Sequence, residues 1–410
     1  MLDKSNTTGV KMNLKPITIA VASLLSMGSI YSTNASEAST TNEQLLEQLK
    51  KQQIQIEALI EKVVKNEKDV KNTDEKVEAT VTVIEDNLSS KANSKTVIGG
   101  YGELHYNNIE DTESIDFHRF VLFFGHEFTE SIRFFSEFEL EHALSGDDKP
   151  GEVELEQAYI EMDLTESTTL KTGLFLVPVG IINETHEPPT FYGVERNPVE
   201  KNIIPATWWE AGAGFNTKFG EGLSADFAIH SGLNVPTDGS KAFLIRSGRQ
   251  KVAKANADSL AYTARIKYTA ILGLELAASY QMQTDVSQGA LGADASLISA
   301  HVAYSNNGFG IRALYAAWDI SGSEASAVGR DSQEGFYVEP SYKINEKFGL
   351  FARYNAWDNN AGDSSDTEKK QTNIGLNYWP HENVVYKFDF EERSGAQDGS
   401  GFNLGVGYQF

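Results

Sequence analysis

The chain has 410 residues, 58 of them acidic and 35 basic, for a formal net charge of −23, and it contains no cysteine. The acidic balance argues against nucleic acid, whose binding rests on basic surfaces. The missing thiols exclude disulfides and thiolate metal sites.

Taken in chain order, the first element is a targeting signal. Lys15 precedes an apolar run from Pro16 to Ile30, and small residues follow around Ala35 and Ala38. That order describes a secretory signal peptide over residues 1–38, cut after Ala35 or Ala38. A membrane anchor is the competing reading of the same run. Residues 39–92 come next, polar and free of Gly and Pro between 43 and 88. Leu49, Ile56, Val63, Val70, Val77 and Ile84 recur every seven residues, with Leu45, Leu59 and polar residues such as Gln52 and Asn66 between them. This spacing predicts a left-handed coiled coil of about 70 Å, its register set by the polar core positions.

From residue 93 to 410 the period changes to two. In the last segment Phe402, Leu404, Val406, Tyr408 and Phe410 share one face, while Asn403, Gly405, Gly407 and Gln409 share the other. Repeated alternation of this kind describes a wall with lipid on one side and water on the other. Sixteen such segments are predicted, near 97–106, 117–127, 132–142, 152–163, 169–177, 207–218, 222–231, 258–268, 272–282, 295–305, 308–319, 334–344, 347–357, 370–379, 383–392 and 401–410. Their connections alternate between tight turns and longer acidic loops, the asymmetry of an outer-membrane barrel. An all-β fold is therefore expected: a sixteen-stranded antiparallel transmembrane β-barrel preceded by a helical coiled coil. Aromatics near strand ends, among them Tyr106, Trp209, Tyr280 and Tyr408, suit interfacial girdles. The fourth segment does not phase cleanly, because Glu152, Glu154 and Glu156 claim one face and Glu161 and Asp163 the other; a bulge or a subunit contact would account for it.

Parity places many charges inside the wall, including Arg119, Arg133 and Lys171 early in the barrel. The connection 178–206 is too apolar to wave in water, and loops this long are usually functional. It is expected to fold inward as a constriction carrying Glu184, His186, Glu187, Glu195 and Arg196. A basic wall of Arg119, Arg133 and Lys171 facing this acidic loop would set up a transverse field in a narrow passage. No HExxH, GxSxG or phosphate-cradling glycine loop is present, so neither an enzyme nor a cofactor nor a metal is expected.

Several stretches resemble one family. They are Ile98 to Tyr106, Phe117 to Leu122, Phe135 to Glu141, Glu154 to Glu161, Gly173 to Phe175 and the loop 178–206. Together they resemble the phosphate-selective porin O and P family of Gram-negative bacteria, over roughly residues 96 to 410. The resemblance implies a homotrimer of sixteen-stranded barrels with the loop after the fifth strand as constriction. The terminal Phe410 is similar to the assembly signal of outer-membrane barrels, and the leading coiled coil is similar to those of some trimeric porins. Phosphate-selecting members carry a ladder of lumen arginines and lysines; here Arg119, Arg133 and Lys171 are interleaved with glutamates instead. The expected function is a porin of the Gram-negative outer membrane, passing small hydrophilic solutes and ions, with anions such as phosphate among the candidates. Its expected surroundings are outer-membrane lipid and lipopolysaccharide, with the coiled coil in the periplasm. The competing reading is a structural anchor whose coiled coil reaches the cell wall.

Overall fold

A strand with one apolar face must bury that face, and a sheet of such strands in lipid must also lose its open edges. Closure into a barrel meets both demands. The computed structural model describes residues 95–410; the expected signal peptide and coiled coil lie outside the described residues. The sheet contains β1 (Thr96–Ile109), β2 (Thr112–Thr129), β3 (Ile132–Glu141), β4 (Val153–Asp163), β5 (Thr168–Leu176), β6 (Trp209–Gly220), β7 (Leu223–His230) and β8 (Ala261–Tyr268). It continues with β9 (Leu274–Gln283), β10 (Ala295–Asn306), β11 (Phe309–Ile320), β12 (Ser332–Lys343), β13 (Phe348–Asp358), β14 (Lys369–His381), β15 (Val384–Gly395) and β16 (Gly399–Gln409). Each pairs antiparallel with its sequence neighbours, and β1 pairs with β16 to close the barrel. At the seam, the Gly100 amide donates to the Phe410 carbonyl (2.9 Å) and the Phe410 amide donates to the Gly100 carbonyl (2.8 Å).

The sixteen expected strands are the sixteen observed, with one large shift of boundary: β2 starts at Thr112 rather than near 117. The turn between β10 and β11 shows how the tight end is built. Asn307 (φ 50°) and Gly308 (φ 81°) both lie in the left-handed region, which is the two-residue hairpin geometry whose twist matches the flanking strands.

Outside, the apolar faces are bare, as lipid contact requires. Ile266, Ile374 and Phe390 are 57%, 60% and 59% exposed. Aromatic rings meet near the short-turn end, Phe348 stacking on Tyr378 at 4.6 Å and Tyr408 on Phe410 at 6.5 Å. Trp209 does not join this girdle. It is buried, with the Arg249 guanidinium 6.0 Å from its ring.

The irregular phase of β4 is a bulge. Glu137 pairs with Gln157 and Phe138 pairs with Leu155, so Glu156 is the extra residue. The insertion shifts the alternation by one and lets Glu154 and Glu161 face inward together. Farther along, β4 pairs with β5 only between Ala158 and Asp163. Its first residues therefore have no β5 partner, and a notch opens in the wall there.

The interior is not evenly polar. Lumen-facing Leu297, Leu314, Trp318 and Tyr337 of β10–β12 form an apolar core with side chains from two long connections that fold inward, 177–208 and 231–260. Trp208, Ile203, Phe243 and Ile245 are the large contributors from those loops. Each fully buried side chain of this size contributes about 1.5–3 kcal/mol. The apolar ends of the loops are thereby fixed against β10–β12.

Candidate functional site

The connection 177–208 starts at a neck. Asn183 Nδ2 donates to the carbonyls of Val177 (2.8 Å) and Trp208 (3.0 Å), while its Oδ1 accepts from the Trp208 amide (2.6 Å). Three bonds from one buried side chain tie the two ends of the loop together. Next comes a helix of one turn, α1 (Pro198–Asn202). Asn197 caps it by accepting from the Glu200 amide (2.8 Å), and proline occupies the first position, where no amide is needed.

Glu200 is the hub of the fold-in. Its fully buried carboxylate accepts from the Ile181 amide (2.8 Å), the Ile182 amide (2.7 Å), Asn197 Nδ2 (3.2 Å) and Tyr337 Oη of β12 (2.9 Å). Gly180, at φ 80°, makes room for it: a Cβ there would lie 2.5 Å from Glu200 Oε2 in a conformation that L side chains avoid.

The tip crosses to β13–β16. Trp379 Nε1 donates to the Pro189 carbonyl (3.3 Å), Asn377 Nδ2 to the Phe191 carbonyl (3.0 Å), and the Val194 amide to Asp389 (2.8 Å). Gly405 and Gly407 of β16 supply the space, because a Cβ on either would meet Val194 or Pro188. This explains the glycines on the wet face of the last strand.

The expected site residues are distributed as follows. Arg119 lies in the wall beneath the loop, with its Nε 2.9 Å from Glu103 and its Nη1 3.6 Å from Glu139. Arg133 sits away from the loop near the short-turn end, clasped by Glu161 (2.8 Å) and Asp163 (2.7 Å). Lys171 is placed over the Tyr159 ring at 4.3 Å. On the loop, Glu184 pairs with Arg265, and Glu195 accepts from Asn107 (3.1 Å) beside His105 (3.0 Å). Glu187 is buried at the start of the tip. His186 is buried between Glu137 (3.5 Å) and Glu156 (3.6 Å). Arg196 donates to Thr207 Oγ1 (2.6 Å).

Burial and the neighbouring Arg196 oppose charge on His186, but its hydrogen bonds to Glu137 and Glu156 carry it up to about 10. Burial likewise works against the Glu195 carboxylate, yet His105 holds it well below the usual range.

Both signs of charge meet from both sides of the passage: loop Glu184 and Glu195 face Arg265 and His105 of the wall, while loop cations face wall carboxylates. The wall at this point is acidic, through Glu103, Glu141, Glu154 and Glu156, with Arg119 embedded in it, and the loop adds Glu195. The basic groups come from the loops: Arg196 and Lys201 from 177–208, and Arg246, Arg249 and Lys251 from 231–260. Together the two faces bound a cavity of about 280 Å³. Arg246 donates to the carbonyls of Lys201 (2.5 Å) and Ala206 (2.9 Å), and Arg249 to that of Thr207 (2.6 Å). Lys251 reaches Glu152 and Glu154 at the notch in the wall. Arg196, Lys201, Arg246 and Arg249 make no ion pair within 4.0 Å among the described residues, and Nε of Arg249 and Nε and Nη2 of Arg196 are buried without an acceptor. Burial, reinforced by Arg249 and Arg196, pulls Arg246 down to about 9, still cationic at neutral pH; burial also lowers Arg249 and Lys201.

Sequence reasoning missed Lys201, Arg246, Arg249 and Lys251. A signal was present in Leu244-Ile245-Arg246-Ser247-Gly248-Arg249-Gln250-Lys251, which mixes apolar and basic residues inside a second long connection.

Comparison with known proteins agrees with this architecture. The family model of phosphate-selective porin O and P matches residues 97–400. An uncharacterised protein of Aquifex aeolicus is 31% identical over 349 residues, covering 76% of this chain and 79% of its own. The anion-selective porin from Comamonas acidovorans superposes with a TM-score of 0.55 at 12% identity, over 78% of this chain and all of its own. OmpT of Vibrio cholerae in its trimer form does so with a TM-score of 0.51 at 12% identity, over 77% and 99%.

Proposed function

Because the chain belongs to the phosphate-selective porin O and P family and is an integral channel protein of the outer membrane, we propose that it passes small hydrophilic solutes with a preference for small anions. The observation that carries this is the set of four loop cations, Arg196, Lys201, Arg246 and Arg249, held around one cavity with no carboxylate paired to them. Neighbouring like charges in a confined passage destabilise one another, and a passing anion relieves that cost. The acidic wall opposite keeps the field transverse, so the passage also orients dipolar solutes instead of trapping a single ion.

In the same reading residues 1–38 are removed on export, residues 39–92 form a periplasmic coiled coil, and three barrels of residues 93–410 assemble with lipid and lipopolysaccharide around them. The trimer form of a structural neighbour and the heptad pattern support this. Planar-bilayer recording of the detergent-folded protein tests the proposal. Reversal potentials in potassium chloride gradients should report chloride over potassium, and added phosphate should reduce the current. Cation preference with indifference to phosphate would refute the anion reading, and a folded trimer that stays silent would refute the channel itself.

A further inference from the structure

We propose that Asp116, His118 and His142 form a binding site for a divalent first-row transition metal ion at the mouth of the passage. Asp116 Oδ2 lies 3.1 Å from His118 Nδ1 and 2.8 Å from His142 Nδ1. One donor atom from each of the three residues falls within 4.8 Å of the others. Metal–ligand bonds of about 2.0–2.2 Å in a tetrahedron imply ligand edges of about 3.3 Å. The 3.1 and 2.8 Å edges are close to that, so small adjustments admit an ion. Two imidazoles with one carboxylate make a borderline donor set, which suits zinc, cobalt, nickel or copper and is poor for calcium or magnesium.

The backbone departs from regularity at both strands of this site. On β2, Glu103 pairs with Arg119 but His105 pairs with Asp116, so a bulge interrupts the alternation. In a regular strand residue 118 would face opposite to 119; here His118 and Arg119 both line the cavity. His142, just past β3, adopts φ 52°, an uncommon conformation for a residue with a side chain. Its amide donates to the His118 carbonyl (3.1 Å), which fixes the two histidines relative to each other.

A third imidazole supports the arrangement from behind. His105 stacks on His118 at 4.7 Å with an interplanar angle of 17°, while its own nitrogens face Glu103 (3.2 Å) and Glu195 (3.0 Å). It is thus a positioning residue, and through Glu195 it links the site to the constriction loop. The ligand side chains are 23–33% exposed, open enough for an ion to enter and for water or solute to take the fourth position. Arg119, next to His118 in the chain, is already paired with Glu103 and Glu139.

The test is cobalt(II) titration of the full chain, folded in detergent, followed by the visible absorption of tetrahedral cobalt and by zinc competition. One site per chain is expected. His142→Ala and, separately, Asp116→Asn should each weaken it at least about tenfold, as should His105→Gln through the supporting stack. His126→Ala, at the opposite end of β2, should leave affinity unchanged. Heat-modified gel migration certifies the fold of each variant, and His142 lies outside the strands. Absence of stoichiometric cobalt in the folded wild type, or unaltered affinity in His142→Ala, overturns the site. The readout is independent of current: a protein that conducts without binding cobalt refutes the metal site alone, and one that binds without conducting refutes only the channel.

Discussion

Removing the carboxylate of Glu200 should release the constriction loop without harming the barrel. In Glu200→Ala four donors lose their acceptor: the amides of Ile181 and Ile182, Asn197 Nδ2 and Tyr337 Oη. The side chains of Asn197 and Tyr337 can turn elsewhere, whereas the two backbone amides cannot. A buried donor left unsatisfied costs about 1–3 kcal/mol, so loop docking weakens by about 2–6 kcal/mol from those two alone. With tenfold per 1.4 kcal/mol, the docked population falls by a factor of about 30 to 10⁴ relative to the undocked one. The strand ladder is untouched, and heat-modified migration should be that of the wild type. Single-channel recording should then show a larger mean conductance with frequent large transitions, and limited proteolysis should cut between Val177 and Trp208. Tyr337→Phe removes one of the four bonds and should cost only about 1 kcal/mol, leaving conductance near the original. A folded Glu200→Ala protein with unaltered conductance, noise and protease resistance would refute the assignment of Glu200 as the hub.

Three further outcomes are expected. His186 has a folded pKa of about 10 against an unfolded value near 6.5, so its contribution to loop docking is complete below about pH 6.5 and is lost as pH climbs through 10. Channel noise should accordingly grow between pH 7 and 10, and a His186→Gln channel with the same pH profile would exclude this histidine as the cause. Arg249→Ala should shift the reversal potential toward potassium and weaken block by phosphate severalfold; an unchanged potential would remove Arg249 from the selectivity mechanism. Gly407→Val adds methyl groups where Pro188 packs and should displace the loop tip, raising conductance in a barrel that still assembles, whereas wild-type conductance would show that the tip tolerates the bulk.

The wall of this protein was legible in its sequence because lipid and water impose alternation locally, residue by residue. Leu223, Phe227 and Ile229, or Tyr386 and Phe390, announce the lipid face with no knowledge of their neighbours, and the structure leaves those side chains bare. The strand count and the closed barrel follow from the same period. The apolar character of 178–206 likewise announced a segment that folds inward. The lumen obeyed no such local rule. Which charge meets which depends on contacts between residues far apart in the chain, such as Glu195 with His105, Glu184 with Arg265 and Lys251 with Glu154. Two bulges reset parity on β2 and β4 and turned Asp116, His118 and Glu154 inward. The second long connection then brought Arg246 and Arg249 across the barrel to face the carboxylates of β1, β3 and β4. Period two assigns a face to each side chain. Only the packing of two loops into one lumen decided what that face would meet.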